Sequence, residues 1–577
     1  MIKSTQNRIV MALIGAAAGI SLYVLGQQVS TGALPDRLAF ALFTLAASFF
    51  SALLVTAGPL KIGRAALGSA AIGLVVAALM TWAGYRFGTM DSFLQTGQPI
   101  LMAAVLTLIP LPFLIASAGP GWRDYPTLFQ QAWSIFVRGS LAWVFVGVFW
   151  AVILLSNTLL NLVGVMVIED LLEHDVMPFL ITGAILGLAL AVVNELADYV
   201  SPFLVLRLLR LLLPLVLVVL VVFLVAVPIR GLNGLFGNFS AAATLIAMVA
   251  AGATLVTAAV DQIDAESTAT PWMRKAVLAL AVLLPLPSAL AVWAVWLRVA
   301  DYGWTPGRLF AALTAALAVG YGMSYAVAVL RGAGWMARIR QANVVMALAL
   351  VAAAALWLTP VLNPERISAY SQLARFEHAN RNPATLDIYA LREWGAAGEA
   401  VQESLGKIAA EPGNETLAKL LANDTGSDDA PTVPVEEMRR QLAVILPLQP
   451  ESAAATRDLL LTAADEATLS EWLGACNNRL PGGGAGCLMV VADFYTSQPG
   501  EEALLVTRTA PNYLKFAVLG VDLTGLVTRG VWMIDGTLPQ YQAGDAFLAA
   551  AQAAPGATSP APINQLNIGG IVLIPGQ

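Results

Sequence analysis

The stretch Leu211-Leu-Leu-Pro-Leu-Val-Leu-Val-Val-Leu-Val-Val-Phe-Leu-Val-Ala-Val227 contains no charged residue and a single interruption, Pro214. A helix needs about 20 apolar residues to cross the roughly 30 Å hydrocarbon core of a bilayer, and the flanking residues extend this one to 208–228. Ten further segments before Pro360 have the same character. The eleven predicted spans are 9–26, 38–57, 66–84, 100–118, 140–163, 179–197, 208–228, 240–260, 276–297, 309–330 and 342–359.

The composition divides the chain into two parts that meet different solvents. Of all residues, 58% are hydrophobic and 12% charged, with a mean hydropathy of +0.74. Up to Pro360 there are 18 Lys and Arg against 13 Asp and Glu, and after it 13 against 24. The second part is therefore acidic and offers no basic surface to nucleic acid. The chain has two Cys and two His, and we predict no metal or cofactor.

The loop cations predict how the spans are oriented. Lys and Arg stay on the cytoplasmic side during insertion, and the eleven spans place thirteen of them on one side and five on the other. The thirteen are Lys3, Arg8, Lys61, Arg64, Arg123, Arg138, Arg207, Arg210, Arg274, Lys275, Arg331, Arg338 and Arg340. The N-terminus is then cytoplasmic, and residues 361–577 lie in the periplasm of a two-membrane bacterium.

The part after the spans divides again. Residues 361–435 read as a helical juxtamembrane segment and linker, beside Tyr302 and Trp304 of an outer loop, and residues 436–577 as a periplasmic α+β domain. The predicted strands are 488–494, 503–508, 514–521, 530–534 and 568–574, with a helix at 545–553. We expect residues 361–577 to fold without the spans.

Cys476 and Cys487 are the two cysteines, and the loose turn Pro481-Gly-Gly-Gly between them lets the thiols meet. Disulfides persist in oxidising compartments. A Cys476–Cys487 disulfide is the favoured interpretation, and two unpaired thiols are the alternative.

Before the fifth span, the segment 125–138 is too polar to cross a membrane. Its apolar residues recur at helical spacing: Leu128, Phe129, Ala132, Trp133, Ile135 and Phe136. This pattern predicts either an amphipathic helix on the cytoplasmic interface or an elbow between spans.

Two proline pairs interrupt spans that lie five apart. Span four contains Pro110 and Pro112, and span nine contains Pro285 and Pro287. Corresponding broken helices in two inverted halves are typical of a central transport site. Kinks rich in Leu and Pro are also common in membrane helices, so we interpret the pairs as candidate kinks in preference to an inverted repeat.

Polar and small residues mark three more places. Asn194, Glu195 and Asp198 near the end of span six form a candidate intramembrane polar site, although a helix end at the interface is the preferred interpretation. Gly15/Gly19 and Gly183/Gly187 are ordinary signals of helix packing.

The outer loop Tyr302-Gly-Trp-Thr-Pro-Gly-Arg308 joins spans nine and ten. Thr305 is placed to cap span ten, with Pro306 in its first turn, and Tyr302 and Trp304 suit the aromatic belt of a bilayer. A structural role therefore accounts for this motif, which ends at Arg308, better than a binding role.

Several separated motifs resemble one protein family. They are Gln131-Ala-Trp133, Phe145-Val-Gly-Val-Phe-Trp150, Leu162-Val-Gly164, Leu208-Leu-Arg-Leu-Leu-Leu-Pro-Leu215, the loop 302–308, Asn363-Pro-Glu-Arg-Ile-Ser368 and Ser371-Gln-Leu-Ala-Arg375. Together they resemble the bacterial inner-membrane proteins grouped as domain of unknown function 4153, over residues 125–395. The resemblance implies a multi-pass inner-membrane protein and brings no activity, substrate or catalytic residue.

Enzyme signatures such as G-x-x-x-x-G-K-S/T, H-E-x-x-H and G-x-S-x-G do not occur in the sequence. The leading hypothesis is a non-enzymatic component of the cell envelope that interacts or senses, with membrane lipids as partners and other envelope proteins contacted through residues 361–577. The alternative is a transporter or lipid flippase that uses the kinked helices four and nine.

Overall fold

The computed structural model describes residues 2–31, 34–196, 203–236, 240–268, 270–383, 386–424, 434–495, 500–510, 513–522, 525–531, 544–553, 566–568 and 571–573. The chain forms two compact units, Met1–Asp424 and Thr425–Gln577. The first is helical and the second contains a sheet, so the predicted class, a polytopic helical bundle with a C-terminal α+β part, is confirmed.

The first unit contains the membrane helices and the short helices between them. In chain order they are α1 (Ile2–Thr31), α2 (Asp36–Thr56), α3 (Ile62–Gly84), α4 (Met90–Gln95), α5 (Gln98–Leu108), α6 (Pro110–Ser117), α7 (Tyr125–Leu162), α8 (Val167–Leu172), α9 (Val176–Glu195), α10 (Phe203–Phe236), α11 (Ala241–Val260), α12 (Pro271–Leu283), α13 (Pro285–Tyr302), α14 (Pro306–Leu330) and α15 (Trp335–Leu358). Within the described residues, eleven helical segments are long and apolar enough to cross a membrane, and each overlaps a predicted span.

The segment before span five differs from both predictions. Residues 125–138 form neither a separate interfacial helix nor an elbow, because α7 runs unbroken for 38 residues. Asp124 caps it by accepting a hydrogen bond from the backbone N–H of Thr127 at 3.1 Å. Gly139 is the weakest helix former near the join, and one glycine costs about 1 kcal/mol without ending a helix.

The proline pairs interrupt their helices as expected from sequence. The breaks fall between α5 and α6 at Ile109 and between α12 and α13 at Leu284. Both residues keep right-handed helical dihedral angles. The interruptions are therefore losses of backbone hydrogen bonds at Pro110 and Pro285, which have no N–H, and not turns.

The two glycine pairs pack against each other where α1 crosses α9. A Cβ atom on Gly15 would lie 1.9 Å from the carbonyl oxygen of Gly183, and one on Gly187 would lie 2.1 Å from that of Met11. The backbones approach this closely only because no side chain intervenes. This crossing makes α1 an integral helix of the bundle.

We therefore predict that Gly15→Ala lowers the free energy of unfolding by about 1–3 kcal/mol, because the two backbones must separate. Gly147→Ala is the matched control, since that glycine lies inside α7 with nothing within 4 Å of the added Cβ. Thermal unfolding in detergent measures both variants. Equal midpoints for the two would contradict the crossing.

After the last span the chain continues as the 3₁₀ helix Pro360–Leu362, then α16 (Pro364–His378), α17 (Ile388–Arg392), α18 (Gly395–Ala409) and α19 (Glu415–Asp424). The expected contact with the outer loop is confirmed. The side chain of Gln372 donates to the carbonyl oxygens of Tyr302 and Trp304 at 3.1 and 3.3 Å. Ser371 Oγ accepts the backbone N–H of Trp304 at 3.1 Å.

A buried ion pair also ties α16 to the spans. Arg86, just beyond α3, contacts Glu365 at 3.2 Å and donates to the carbonyl oxygens of Trp357 and Thr359, both at 2.8 Å. Burial raises the pKa of Glu365, although Arg86 opposes that shift. Residues up to Asp424 thus share a compact unit with the spans, and independent folding of residues 361–577 stays a prediction.

The second unit is built in layers. Its helices are α20 (Val435–Ile445), α21 (Ala454–Ala463), α22 (Glu466–Asn477) and α23 (Gly544–Ala553). Its strands are β1 (Leu448–Gln449), β2 (Cys487–Ala492), β3 (Glu502–Ala510), β4 (Tyr513–Asp522), β5 (Gly525–Arg529) and the separate pair β6 (Leu566–Ile568) and β7 (Ile571–Leu573). The first five form one sheet in the order β1-β2-β3-β4-β5, with β1 parallel to β2 and the other neighbours antiparallel.

Both faces of this sheet are covered. Met489 and Leu505 pack with the buried residues of α20–α22, whereas Leu488 and Val506 pack with Leu548 of α23. The strands β2, β3 and β4 therefore contain short apolar or alternating runs, which made these three predictable. The strand predicted at 530–534 is wrong where it is described, because β5 ends at Arg529.

A disulfide joins Cys476 at the end of α22 to Cys487 at the start of β2, as predicted, and both residues are buried. Between them, a Cβ on Gly486 would lie 2.1 Å from the carbonyl oxygen of Asn478. The link therefore fixes α22 against the sheet within the core of this unit.

We predict that Cys476→Ser lowers the free energy of unfolding of a secreted fragment beginning at Glu436 by about 2–4 kcal/mol, because the short loop is no longer closed in the unfolded chain. Urea titration of the fragment measures this change. Adding a reductant to the unmodified fragment is the control and should reproduce the loss. A fragment that aggregates with its disulfide intact would show that this unit does not fold alone.

Candidate functional site

A cavity of about 700 Å³ opens between α5, α6, α7, α11, α14 and α15. All these helices belong to the first unit. Leu108, Ile109, Pro112 and Phe113 line it at the first proline break. None of the residues that line the cavity carries a formal charge. The cavity is therefore an apolar space within the part of the protein that meets lipid.

One wall consists of the residues once expected at the bilayer interface. Leu128, Phe129, Ala132, Trp133, Ile135 and Phe136 all line the cavity. Rings on α7 form a ladder, with centroids 5.8 Å apart for Tyr125 and Phe129 and 6.4 Å for Phe129 and Trp133. The apolar stripe was correctly identified from sequence, but its partner is a protein cavity.

Hydrogen-bonding groups gather at one end of the cavity. Asn343 of α15 donates through Nδ2 to the hydroxyl of Tyr125 at 3.0 Å and to Thr257 Oγ1 at 3.3 Å. Its Oδ1 accepts a short hydrogen bond from the hydroxyl of the fully buried Tyr325. The Tyr325 hydroxyl also lies 2.7 Å from Thr257 Oγ1. Three helices and the start of α7 are thus joined through one amide.

One helical turn beyond this network lies an ionic cluster that sequence reasoning missed. Asp261, which ends α11 with a φ of +53°, forms a short ion pair with Arg210. Arg340 donates to the carbonyl oxygens of Val260 and Asp261 at 2.9 and 3.0 Å and contacts Asp264 at 2.7 Å. Two guanidinium groups thereby satisfy the negative end of α11. The available signal was Arg210, a cation inside a predicted span.

The candidate polar site at the end of span six lies elsewhere. Glu195 is the last residue of α9 and pairs with Arg8 of α1 at 2.5 Å. Arg138 of α7 donates to Asn194 Oδ1 at 2.9 Å. Neither acceptor lines the cavity, and Asp198 lies outside the described residues.

The two proline breaks have different surroundings. The first borders the cavity through Ile109 and Pro112. The second packs against α14, where a Cβ on Gly322 would lie 3.1 Å from the carbonyl oxygen of Leu284. Pro285 and Pro287 are not among the residues that line the cavity.

The outer loop is fully occupied by structural contacts among the described residues. The Thr305 hydroxyl accepts the backbone N–H of Arg308 at 3.3 Å, and Pro306 stands in the first turn of α14. The Arg308 guanidinium donates to the carbonyl oxygens of Tyr302 and Gly303. With Trp304 bonded to α16, the motif joins the spans to the juxtamembrane helices.

Comparison with protein families now adds to this geometry. The family model described as Domain of unknown function (DUF4153) matches residues 10–403. The chain belongs to the DUF4153 family. The match includes every helix that lines the cavity, and also α16, α17 and much of α18, so the juxtamembrane helices are part of the DUF4153 region. Comparison with curated proteins and with solved structures gave no match.

We predict that Asp261→Asn lowers the free energy of unfolding of this DUF4153 protein by about 3–5 kcal/mol, because Arg210 would be left as a buried charge without its partner. Asp264→Asn is the control. That aspartate pairs with Arg340 but is 75% exposed, so its loss should cost less than about 1 kcal/mol. Chemical unfolding in detergent compares the two, and the reverse order of stability would contradict this account of the cluster.

Proposed function

We propose that this chain is a non-enzymatic, multi-pass protein of the bacterial inner membrane that binds a lipid in the cavity between α5, α6, α7, α11, α14 and α15. The observation that carries the proposal is the cavity itself. Ligand sites are typically concave, mostly apolar and about 300–1,000 Å³ in volume, and this cavity has about 700 Å³ with few polar groups. We propose a sensing or interacting role for the bound state.

The surroundings of the cavity support a lipid as its occupant. Trp133 and Phe136 contribute apolar surface that suits hydrocarbon chains, and Tyr125 and Asn343 add hydrogen-bonding groups at one end. A charged ligand would have to leave water for an uncharged site, at a high cost in free energy. A lipid tail makes no such demand.

We further propose that the N-terminus is cytoplasmic and the α+β domain 436–577 periplasmic. Thirteen Lys and Arg side chains on one side of the spans against five on the other support this orientation. The Cys476–Cys487 disulfide supports an oxidising compartment for the second unit. An acidic domain there has surface available for other envelope proteins, which is the interaction we propose for it.

The experiment that tests lipid binding fills the cavity. Ala250→Trp puts a large ring on a lining residue of α11 and should reduce co-purified lipid at least about tenfold, as expected when more than 1.4 kcal/mol of contacts is lost. Ala247→Trp is the matched control, because this exposed alanine of the same helix does not line the cavity. Mass spectrometry of lipid extracted from each purified protein gives the ratio. Equal lipid contents in both variants would refute the proposal.

A lipid flippase or transporter is a second candidate, favoured by one observation: the broken helix at Pro112 borders the cavity. Backbone freed from helical hydrogen bonds is a common feature of transport sites. Reconstituted protein should then move a fluorescent lipid between leaflets, and Pro110→Ala with Pro112→Ala should slow it. Protein that binds lipid without moving it between leaflets would contradict this second candidate and favour the sensing role.

A further inference from the structure

The hydrogen-bond network at the end of the cavity can be followed proton by proton. Asn343 Oδ1 can only accept, so the Tyr325 hydroxyl donates to it. Having used its hydrogen, the Tyr325 oxygen accepts the hydrogen of Thr257. The two hydrogens of Asn343 Nδ2 go to Thr257 and Tyr125. Asn343, Thr257 and Tyr325 thus form a closed cycle of hydrogen bonds.

Tyr125 stands outside the cycle as an acceptor, and its own O–H hydrogen remains. No described residue accepts that hydrogen. The hydroxyl of Tyr321, one turn before Tyr325 on α14, also makes no hydrogen bond to a described residue. Both tyrosines line the cavity. Two phenol O–H groups that have no acceptor among the described residues therefore face a mostly apolar cavity, where a bound acceptor would satisfy them.

The other hydroxyls on the wall differ from these two. Thr254 donates to the carbonyl oxygen of Ala250 at 2.8 Å, and Thr314 to that of Phe310 at 3.0 Å. Their hydrogens are already bonded within their own helices. Among the hydroxyl groups that line the cavity, those of Tyr125 and Tyr321 are therefore the two whose hydrogens have no acceptor among the described residues.

Resting on the lipid binding proposed above, we infer that Tyr125 and Tyr321 donate hydrogen bonds to an uncharged oxygen acceptor, the ester carbonyl of an acylated glycerol. A carbonyl oxygen has two lone pairs and no hydrogen of its own, so it can accept hydrogen bonds from two donors and needs no acceptor itself. The acyl chain beyond the ester would lie along the aromatic wall of α7.

The ionic cluster behind the network favours an uncharged acceptor. Arg210 on α10 and Arg340 on α15 belong to this cluster, and both are engaged by Asp261, Asp264 and backbone carbonyl oxygens. Neither lines the cavity. A phosphate placed beside Tyr125 would find no cation among the lining residues, and burying it unpaired is strongly unfavourable.

Three photo-crosslinkable probes with the same chains test the inference on the full-length protein in vesicles. They are a diacylglycerol, a dialkylglycerol in which ether linkages replace the esters, and a phosphatidic acid. The diacylglycerol should label the protein about tenfold more than the dialkylglycerol, the difference expected for one or two buried hydrogen bonds. Phosphatidic acid should label less than diacylglycerol.

Single and double variants then assign the preference to the two phenols. Tyr125→Phe and Tyr321→Phe together should bring diacylglycerol labelling down to that of the dialkylglycerol. Tyr321→Phe alone removes no hydrogen bond between described residues, so it tests recognition without a folding defect. Tyr85→Phe, at an exposed tyrosine beyond α3, is the control and should keep the wild-type ratio.

The outcomes separate this inference from the proposed function. If diacyl and dialkyl probes label equally while Ala250→Trp still blocks both, lipid binding stands and recognition of the carbonyl is overturned. If phosphatidic acid labels as strongly as diacylglycerol, the uncharged class is overturned. If no probe labels the wild-type protein more strongly than it labels the Ala250→Trp variant, the proposed function itself fails.

Discussion

The structure depends on one constraint: inside a bilayer no water is available to satisfy polar groups, so the protein must satisfy them itself. The end of α11, where the span meets its loop, follows the same rule. The carbonyl oxygen of Val260 has no partner within the helix, and the guanidinium of Arg340 on α15 donates a hydrogen bond to it. Asp261 in turn neutralises Arg210. A helix end, two cations and an anion are thereby satisfied together.

The same constraint gives the cavity its chemical character. Asn343 has four hydrogen-bonding positions and uses its oxygen and both N–H groups on Tyr325, Thr257 and Tyr125. Such a network is stable only when its members are satisfied. Donors left over are therefore informative, since threonine hydroxyls such as those of Thr107 and Thr158 donate to backbone carbonyl oxygens of their own helices.

Local patterns predicted the spans, the proline breaks and the disulfide, because each depends on residues adjacent in sequence. The cavity depends on residues from Leu108 to Ala347 that only the packing of helices brings together. An apolar stripe such as that of Leu128 and Phe129 looks the same whether it faces lipid, a neighbouring helix or a cavity. For the same reason the pairing of Arg210 with Asp261 could not be read from the sequence, although the cation itself was visible.

The position of α15 connects the cavity to the helices beyond the membrane. Its first half carries Arg340 and Asn343, and its last turn offers the carbonyl oxygen of Trp357 to Arg86. Arg86 also holds Glu365 at the start of α16. An unbroken 24-residue helix transmits displacement along its length better than a loop does. Since the DUF4153 match continues through α16 and α17, the family domain joins the cavity, this rigid helix and the juxtamembrane helices in one compact unit. A sensing role for the bound lipid would act through α15.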